Sequence, residues 1–389
     1  MAQAVPEYTD RPSLIRVETS RALDPCDAAR EAAAGVDSAK TCFILAFAPG
    51  GQNMQLVAET LEEELGGIPV FGCSSAGQIT GRGYEAGVLL LLIFPKRHFR
   101  CCSLLIEPLC PLSTVQIAAD AQRHDRAFRR TAGWNRLGLI FADGLAKQED
   151  FLVSTLEAAL GDLPIFGGSA GDLLRFEETY VLHNGRAHRN AAVLLFIETN
   201  LPFAGIGFDH FLPGDTQIVI THADPDARKV LEINGAPAAA EYARLVGCDV
   251  ADLSPQIFAE NPLLVNFNDH HYVRAISKAD DDGGLSFLAA IDNGLIMTLG
   301  QGQEILKTLQ AGLDIREPGG GRPDFILGFD CVLRKLEIEQ KQMASQASGI
   351  LRRERVFGFN TYGEQHCGVH MNQTFVGVAF FAPVEGGLH

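Results

Sequence analysis

Leu137-Gly-Leu-Ile-Phe141, Asp143-Gly144, the stretch Asp150 to Leu160, and Leu163-Pro-Ile-Phe-Gly167 follow one another along the chain. The first segment is a short apolar strand. Leu152, Leu156 and Leu160 then recur every fourth residue, which lays one apolar stripe along a helix. The last segment is a second apolar strand that returns to an aliphatic-Phe-Gly step. The same order appears earlier, in Phe43-Ile-Leu-Ala-Phe47, Pro49-Gly-Gly51, Leu56 to Leu65 and Ile68-Pro-Val-Phe-Gly72. Adding 95 to Leu61, Glu62, Leu65, Gly66, Pro69, Phe71 and Gly72 gives Leu156, Glu157, Leu160, Gly161, Pro164, Phe166 and Gly167. Seven identities at one offset indicate an internal duplication.

A third, diverged copy runs from Phe325-Ile-Leu-Gly-Phe329 through a helix predicted over Leu333 to Ile350, and closes on Val356-Phe-Gly-Phe359. After the Phe-Gly step the three copies continue as Cys73-Ser-Ser-Ala-Gly77, Gly168-Ser-Ala-Gly171 and Asn360-Thr-Tyr-Gly-Glu364. Each is followed by a further apolar strand, Gly87 to Phe94, Ala191 to Ile197 or Thr374 to Phe381. Repeated strand-helix-strand crossovers predict an α/β fold with mixed, partly parallel sheets. Asn184-Gly185 predicts a hairpin turn beside Thr179-Tyr-Val-Leu182. The organisation that follows is an N-terminal extension (1–33), a domain of two copies (34–224) and a second domain carrying the third (225–389). In the second domain Val230 to Ile233 reads as a strand and Pro237 to Leu245 as a helix opening on proline. Asp280 to Gly284 and Glu317 to Gly321 read as loops.

Composition excludes several classes. A chain of 389 residues with 47% hydrophobic and 21% charged residues is globular and large enough for about two domains. Val88 to Phe94 is its longest apolar run, far below the roughly 20 residues of a membrane helix. Met1 to Ser13 has no basic start and no apolar core, so no signal peptide is expected. The nine cysteines form no CxxC or CxxCH pattern and fit reduced thiols of a cytoplasmic protein. A formal net charge of −16 opposes nucleic-acid binding.

The chemistry-bearing motifs each carry two readings. Gly167-Gly-Ser169-Ala-Gly171 has the spacing of a hydrolase nucleophile elbow, but that motif needs a helix to follow. Here Asp172 to Arg186 leads to a hairpin, so a small-residue turn lining a pocket is the preferred reading. Ser74, Ser75, Ser169, Asp172 and Glu364 are the ligand candidates of the three turns. Glycines there favour either close approach to a ligand or plain crossover geometry. No turn fits a P-loop or a dinucleotide fingerprint. His366 and His370 would share a helix face, but Val369 to Phe381 is β-like. In a strand, His370, Asn372 and Thr374 share one face. His270-His271 is predicted in a polar turn after Asn266-Phe-Asn-Asp269. Arg352, Arg353 and Arg355 cluster before the last returning strand, as a solvated helix end or a carboxylate-binding group.

Val70-Phe-Gly-Cys-Ser-Ser-Ala-Gly77, Phe166-Gly-Gly-Ser-Ala-Gly-Asp172, Val230-Leu-Glu-Ile-Asn-Gly235 with Glu241-Tyr-Ala243, and Gly358-Phe-Asn-Thr-Tyr-Gly-Glu-Gln365 resemble FIST proteins in that order. The resemblance runs from about Ala34 to Pro383 and implies a FIST N domain followed by a FIST C domain, a sensory input module for small ligands. Thr361 to Gln365 with His370 to Phe375 is similar to the nitric-oxide-sensing NosP branch in particular. That branch implies noncovalent haem b and a partner that is a histidine kinase or a cyclic-di-GMP synthase or phosphodiesterase. It points to His370 as first candidate for the iron, Tyr362 and His366 as weaker ones, Asn372 beside them, and Arg352, Arg353 or Arg355 facing the propionates. No membrane contact is expected, and a homodimer is compatible with the reading. A haem-free sensor of an amino-acid-like metabolite is the alternative, and a serine hydrolase using Ser169 the second.

Overall fold

The three Phe-Gly strands lie side by side around one axis, and each belongs to a unit with the same element order. The computed structural model describes residues 13–267, 270–317 and 320–383. Unit 1 comprises β1 (Arg16–Ser20), α1 (Pro25–Ala33), β2 (Thr41–Pro49), α2 (Met54–Leu65), β3 (Val70–Ser75), the hairpin β4 (Gln78–Thr80) and β5 (Gly83–Glu85), and β6 (Leu89–Pro95). Unit 2 repeats it as β7 (Phe99–Ile106), α3 (Thr114–Ala127), β8 (Asn135–Ala142), α4 (Glu149–Leu160), β9 (Ile165–Ser169), the hairpin β10 (Val181–His183) and β11 (Arg186–His188), and β12 (Ala192–Thr199). Unit 3 opens with β13 (Phe203–Phe208) and is then interrupted. The inserted segment carries β14 (Phe211–Asp224), β15 (Lys229–Ile233), β16 (Ala236–Pro237), α5 (Ala238–Val246), α6 (Pro255–Glu260), β17 (Leu263–Phe267), β18 (His270–Arg274), β19 (Ile276–Ala279), β20 (Leu285–Phe287) and β21 (Ile296–Gly302). Unit 3 resumes with α7 (Ile305–Leu313), β22 (Phe325–Cys331), α8 (Val332–Gln340), α9 (Ala344–Arg353), β23 (Val356–Thr361), the hairpin β24 (Glu364–His366) and β25 (Val369–Met371), and β26 (Phe375–Phe380).

The units are not self-contained. The three sheets run β1-β6-β2-β3-β10-β11, β7-β12-β8-β9-β24-β25 and β13-β26-β22-β23-β4-β5. Unit 1 therefore completes its sheet with the hairpin of unit 2, unit 2 with that of unit 3, and unit 3 with that of unit 1. Within each sheet the first and returning strands pair in parallel, with Ala46 beside Gly72, Ile140 beside Gly167 and Gly328 beside Gly358. Asn184 and Gly185 both take positive φ at the tip of β10–β11, as a two-residue hairpin requires. The turn was legible in the sequence; its pairing with β3 of the other copy was not.

Strand alternation buries both faces of each sheet. Phe43, Leu45 and Phe47, Leu137, Leu139 and Phe141, and Phe325, Leu327 and Phe329 all point into one central core. Phenylalanines join the units there: Phe47 stands 5.6 Å from Phe141 and 4.6 Å from Phe359, and Phe141 stands 6.1 Å from Phe329. The alternate residues face the helices, Ile44 and Ala46 beneath α1 and α2, Ile140 beneath α3 and α4, and Ile326 beneath α7 and α9. The sequence stripe Val57, Leu61 and Leu65 is buried in the first of these layers.

Residues Arg16–Ser20 and Pro25–Ala33, read from the sequence as part of an extension, form the edge strand and a covering helix of the first sheet. The inserted segment builds its own eight-stranded sheet, and the helix predicted to open on Pro237 begins one residue later, as α5, with Pro237 at the N-cap position. The helix predicted over Leu333 to Ile350 breaks in two, because Gln342 adopts a left-handed backbone (φ 56°) between α8 and α9. His270 and His271, predicted in a polar turn, lie in β18 paired with Phe267 and Asn266 of β17, since β-favouring Tyr272 and Val273 extend the strand. Asp280 to Gly284 is a turn closed by Gly283 N–H donating to Asp280 O. Part of the loop read over Glu317 to Gly321, and Asn268-Asp269 of the turn, lie outside the described residues.

The Phe-Gly glycines are required by contact. A Cβ on Gly167 would stand 1.9 Å from the Ile140 carbonyl oxygen, and one on Gly358 1.8 Å from that of Gly328. Gly349, inside α9, has nothing within 4 Å of a Cβ. Gly167→Ala is expected to lower stability to urea by about 3 kcal/mol or more, whereas Gly349→Ala raises it by about 0.5–1 kcal/mol. Equal effects at the two positions would contradict the close approach.

Candidate functional site

Past their Phe-Gly steps, the three returning strands meet tip to tip. Ala76 N–H donates to Asn360 O (3.0 Å), Gly171 N–H to Ser74 O (3.1 Å) and Tyr362 N–H to Ser169 O (3.2 Å). These are equivalent positions of units 1, 2 and 3, so the bonds close a ring. A second set joins each strand end to its incoming hairpin: Ser74 N–H to Tyr180 O, Ser169 N–H to Gly363 O and Asn360 N–H to Gly77 O. The first-strand glycines pack against this ring. A Cβ on Gly50 would meet the Asp172 Cα at 2.5 Å, and one on Gly144 the Ala170 oxygen at 2.1 Å. At these two positions glycine serves approach of backbone to backbone.

Asp172 leaves the ring and organises the loop 172–179. Its carboxylate accepts backbone N–H groups from Phe176 (2.9 Å), Glu177 (2.7 Å) and Glu178 (3.0 Å) and the Tyr362 hydroxyl. These donors hold the carboxyl below its ordinary range despite burial. Tyr362 Oη accepts Leu174 N–H at 2.7 Å, and its ring lies 4.9 Å from Phe176. The far end of the loop is tied by Thr179 Oγ1 donating to the buried Asp143. Between the ties Leu173 (φ 63°), Leu174 (φ 62°) and Phe176 (φ 56°) all adopt left-handed backbone. Each such non-glycine residue costs on the order of 1–3 kcal/mol and persists only where its surroundings impose it.

Two cavities flank the loop. The smaller, about 210 Å³, lies against unit 1 and is lined by Gln52, Ser74, Asp172, Arg175, Glu177 and Tyr180 among others. The larger, about 410 Å³, opens between the loop and the inserted sheet, with Leu145, Lys147, Phe176, Arg228, Phe287 and Leu288 in its walls. Arg175 lines both. A third cleft of about 380 Å³ lies between β13, β18 and the β24–β25 hairpin.

The candidate residues separate accordingly. Ser74, Ser75 and Ser169 are buried and engaged: Ser74 Oγ accepts Tyr180 N–H, Ser75 Oγ donates to Ala48 O, and Ser169 Oγ accepts Gln365 Nε2 at 2.8 Å. No helix follows Ser169, and its hydrogen-bond partner is an amide. Glu364 is fully buried, with Oε2 accepting Thr374 N–H (3.2 Å) and bonded to its hydroxyl (2.6 Å), and Oε1 accepting the Thr361 hydroxyl. Burial pushes its carboxyl up to about 8. His370 is buried in β25 beside Gln365, its neutral form favoured by burial, and Nε2 has no hydrogen-bond partner among the described residues. It lines none of the three cavities, and a Cβ on Gly363 would stand 2.2 Å from its Cε1. Asn372 accepts Ala275 N–H from the insert and donates to Tyr362 O. Arg352 and Arg353 end α9 and Arg355 directly precedes β23, roughly 17 Å of strand from the tip of β23; Arg353 pairs with Glu354, and Arg355 approaches Asp324. His366 faces the third cleft with His270, His271 and Cys367, its ring stacked on Phe166. The structure thus gathers the serines, Asp172, Tyr362 and Glu364 around the ring, and keeps the arginines apart from His370. Arg175, Lys147, Phe176 and Arg228 were missed, since no motif marks them and their placement depends on tertiary contacts of Asp172 and the insert.

Removing the hub should loosen the loop. Asp172→Ala is expected to cost about 2–4 kcal/mol and Tyr362→Phe about 1.5–3 kcal/mol in urea unfolding; variants within 0.5 kcal/mol of wild type would show that the loop is held otherwise. For Glu364 the folded value lies above the ordinary 4.5, so its contribution is complete below pH 4.5 and is lost as pH rises through about 8. Wild-type stability should therefore fall by up to about 1.4 kcal/mol per pH unit across that window relative to Glu364→Gln. Parallel stability profiles would refute a protonated Glu364.

The chain matches the FIST N domain over residues 42–236 and the FIST C domain over residues 238–367. It is 25% identical over 181 residues to an uncharacterised protein of Methanocaldococcus jannaschii, a match spanning 46% of this chain and 35% of that protein. The chain therefore covers about a third of the length of that relative. Among solved structures it is similar to a cyanuric acid hydrolase from A. caulinodans, with TM-score 0.35 and 8% identity over 95% of this chain and all of that one. A likeness at that level carries no functional argument. No helix among the described residues is long and apolar enough to cross a membrane. With both domain models matched in order over most of its length, the chain belongs to the FIST family of sensory, signal-transducing domains.

Proposed function

We propose that the protein is a non-catalytic sensing subunit that binds a small ligand beside the 172–179 loop and signals through a separate protein. The partner class is a histidine kinase or a cyclic-di-GMP synthase or phosphodiesterase. The observation that carries this reading is strain next to open space: three left-handed non-glycine residues stand between two cavities. A ligand shifts an equilibrium only by its differential affinity for two states. A loop held off its preferred backbone by one carboxylate is an element with such an alternative. The loop also reaches the inserted sheet, so occupancy has a route to the outer surface. The buried, amide-bonded Ser169 supports the non-catalytic reading.

Haem is the second reading, and His366 is the imidazole that favours it. His370 does not fit the role, because its Nε2 is enclosed against Gly363 and away from the cavities. His366 opens on a cleft with Phe208, Tyr272, Val369 and Met371 for walls, which suits one donor and an apolar plate. Haem there would supply an iron able to take nitric oxide. Titration of the purified protein with haemin tests the assignment. If a Soret band develops, His366→Ala should shift or abolish it while His370→Ala leaves it unchanged; the reverse pattern, or two unchanged variants, would remove His366 from the role.

A further inference from the structure

The larger cavity is unusual for so acidic a chain. Against a formal net charge of −16, its lining among the described residues holds Lys147, Arg175, Arg228 and Lys278 and no carboxylate. Two of the four cations are already neutralised. Arg228 pairs with Glu149 (2.7 Å) and Asp150 (3.0 Å), and Lys278 with Asp280 (2.9 Å). The other two form no ion pair among the described residues: Lys147 Nζ donates to the Ala227 carbonyl (3.0 Å), and the Arg175 guanidinium rests against Gly51 on the smaller-cavity side, where a Cβ on Gly51 would stand 2.9 Å from its Nη1. Backbone strain concentrates at the same walls. Lys147 (φ 56°), Phe176 (φ 56°) and Arg228 (φ 51°) are left-handed, as are Leu173 and Leu174 beside them. Strained non-glycine residues cluster where a site is preorganised. Apart from Ser277 and Ser286 the remaining lining carries no polar side chain, with Phe176 from the loop and Phe287 and Leu288 from the insert among its walls. The smaller cavity on the other side of Arg175 carries Asp172, Glu177 and Glu178 and would repel an anion.

We propose that this cavity, between the 172–179 loop and the inserted sheet, binds an organic anion. A carboxylate or phosphate head would lie on Lys147 and, once its side chain turns from Gly51 toward the insert, on Arg175, with an apolar or aromatic body between Phe176, Phe287 and Leu288. Free guanidinium and ammonium groups at a partly enclosed site bind oxyanions by charge-assisted hydrogen bonds, and the walls supply burial for the body. The proposal rests on the sensor reading and names the chemistry of its ligand. Occupancy would draw Arg175 toward the insert, which couples the ligand's charge to the strained loop.

The test is titration calorimetry on the full chain with phenylphosphate, phenylacetate, inorganic phosphate and benzylamine. Phenylphosphate or phenylacetate should bind, more tightly than inorganic phosphate and more weakly in 0.5 M NaCl than in 0.05 M; which of the two is tighter identifies the head group. Arg175→Gln and Lys147→Gln, at exposed positions and checked for wild-type melting, should each weaken binding at least tenfold. Phe176→Ala should weaken phenylphosphate and leave inorganic phosphate unchanged. Anion binding indifferent to Arg175 and Lys147, equal binding of benzylamine, or no binding of either aromatic anion would overturn the proposal. If the anions fail while a neutral metabolite raises the melting temperature in a Phe176-dependent way, the anion class falls and the sensor reading stands. If no compound in a metabolite library does so, both fall.

Discussion

The structure depends on one closed ring of three backbone hydrogen bonds, from Ala76 to Asn360, from Tyr362 to Ser169 and from Gly171 to Ser74. Each such bond is worth only about 0.5–1.5 kcal/mol net, but a buried amide or carbonyl left without a partner costs about 1–3 kcal/mol. The ring is therefore less a source of stability than a condition on assembly. All three tips must arrive together, in register, or several buried polar groups are orphaned at the axis. The hairpin exchange makes the same demand a second time, since each sheet is completed only by a strand pair from another unit. Ring and exchange together explain why three weakly similar copies form one body rather than three beads.

Around this constraint the central core is mostly phenylalanine and leucine, with phenylalanine pairs linking the units at 4.6–6.3 Å. The charged groups buried nearby connect what the apolar core cannot. Asp330 pairs with Arg334 (2.8 Å) and takes the Tyr84 hydroxyl of the exchanged hairpin; Arg334 reaches His210, and His210 reaches Glu337 (2.8 Å). His210 lies where the insert leaves unit 3, so the network fixes the insert to the ring. Breaking one partner of such a set leaves a charge without compensation, which is far more costly than the intact set is stabilising.

Much of this was legible in the sequence because it is local. The four-residue spacing of Val57, Leu61 and Leu65, the repeated Phe-Gly steps and Asn184-Gly185 report elements whose geometry is set within a few residues. What was illegible is set at a distance. Nothing in Val181 to His188 says that the hairpin pairs with Gly72 and Cys73 rather than with its own sheet. Leu173-Leu-Arg-Phe176 has no residue that favours left-handed backbone; Asp172 imposes it through three amides and a tyrosine from another unit. His370 shows why a motif alone misleads about a site: the strand read through His370, Asn372 and Thr374 ends at Met371, Gln373 turns left-handed (φ 52°), and of the three only Thr374 lines a cavity.

The three units are equivalent in topology, yet the open space at their tips is not. At unit 1 the cavity is small and rimmed by Glu177 and Glu178; at unit 2 it is larger, free of carboxylates and roofed by Phe287 and Leu288. The roof comes from the segment inserted into unit 3, the one place where the repeat is interrupted. A pseudo-threefold ring offers three similar tips and no reason to prefer one. The insert breaks that equivalence by covering a single tip, and the left-handed loop fills the seam between cover and ring. Specificity in this fold therefore arises from the asymmetric addition, while the symmetric part supplies the rigid edge against which a small displacement of Arg175 or Phe176 becomes a difference at the surface.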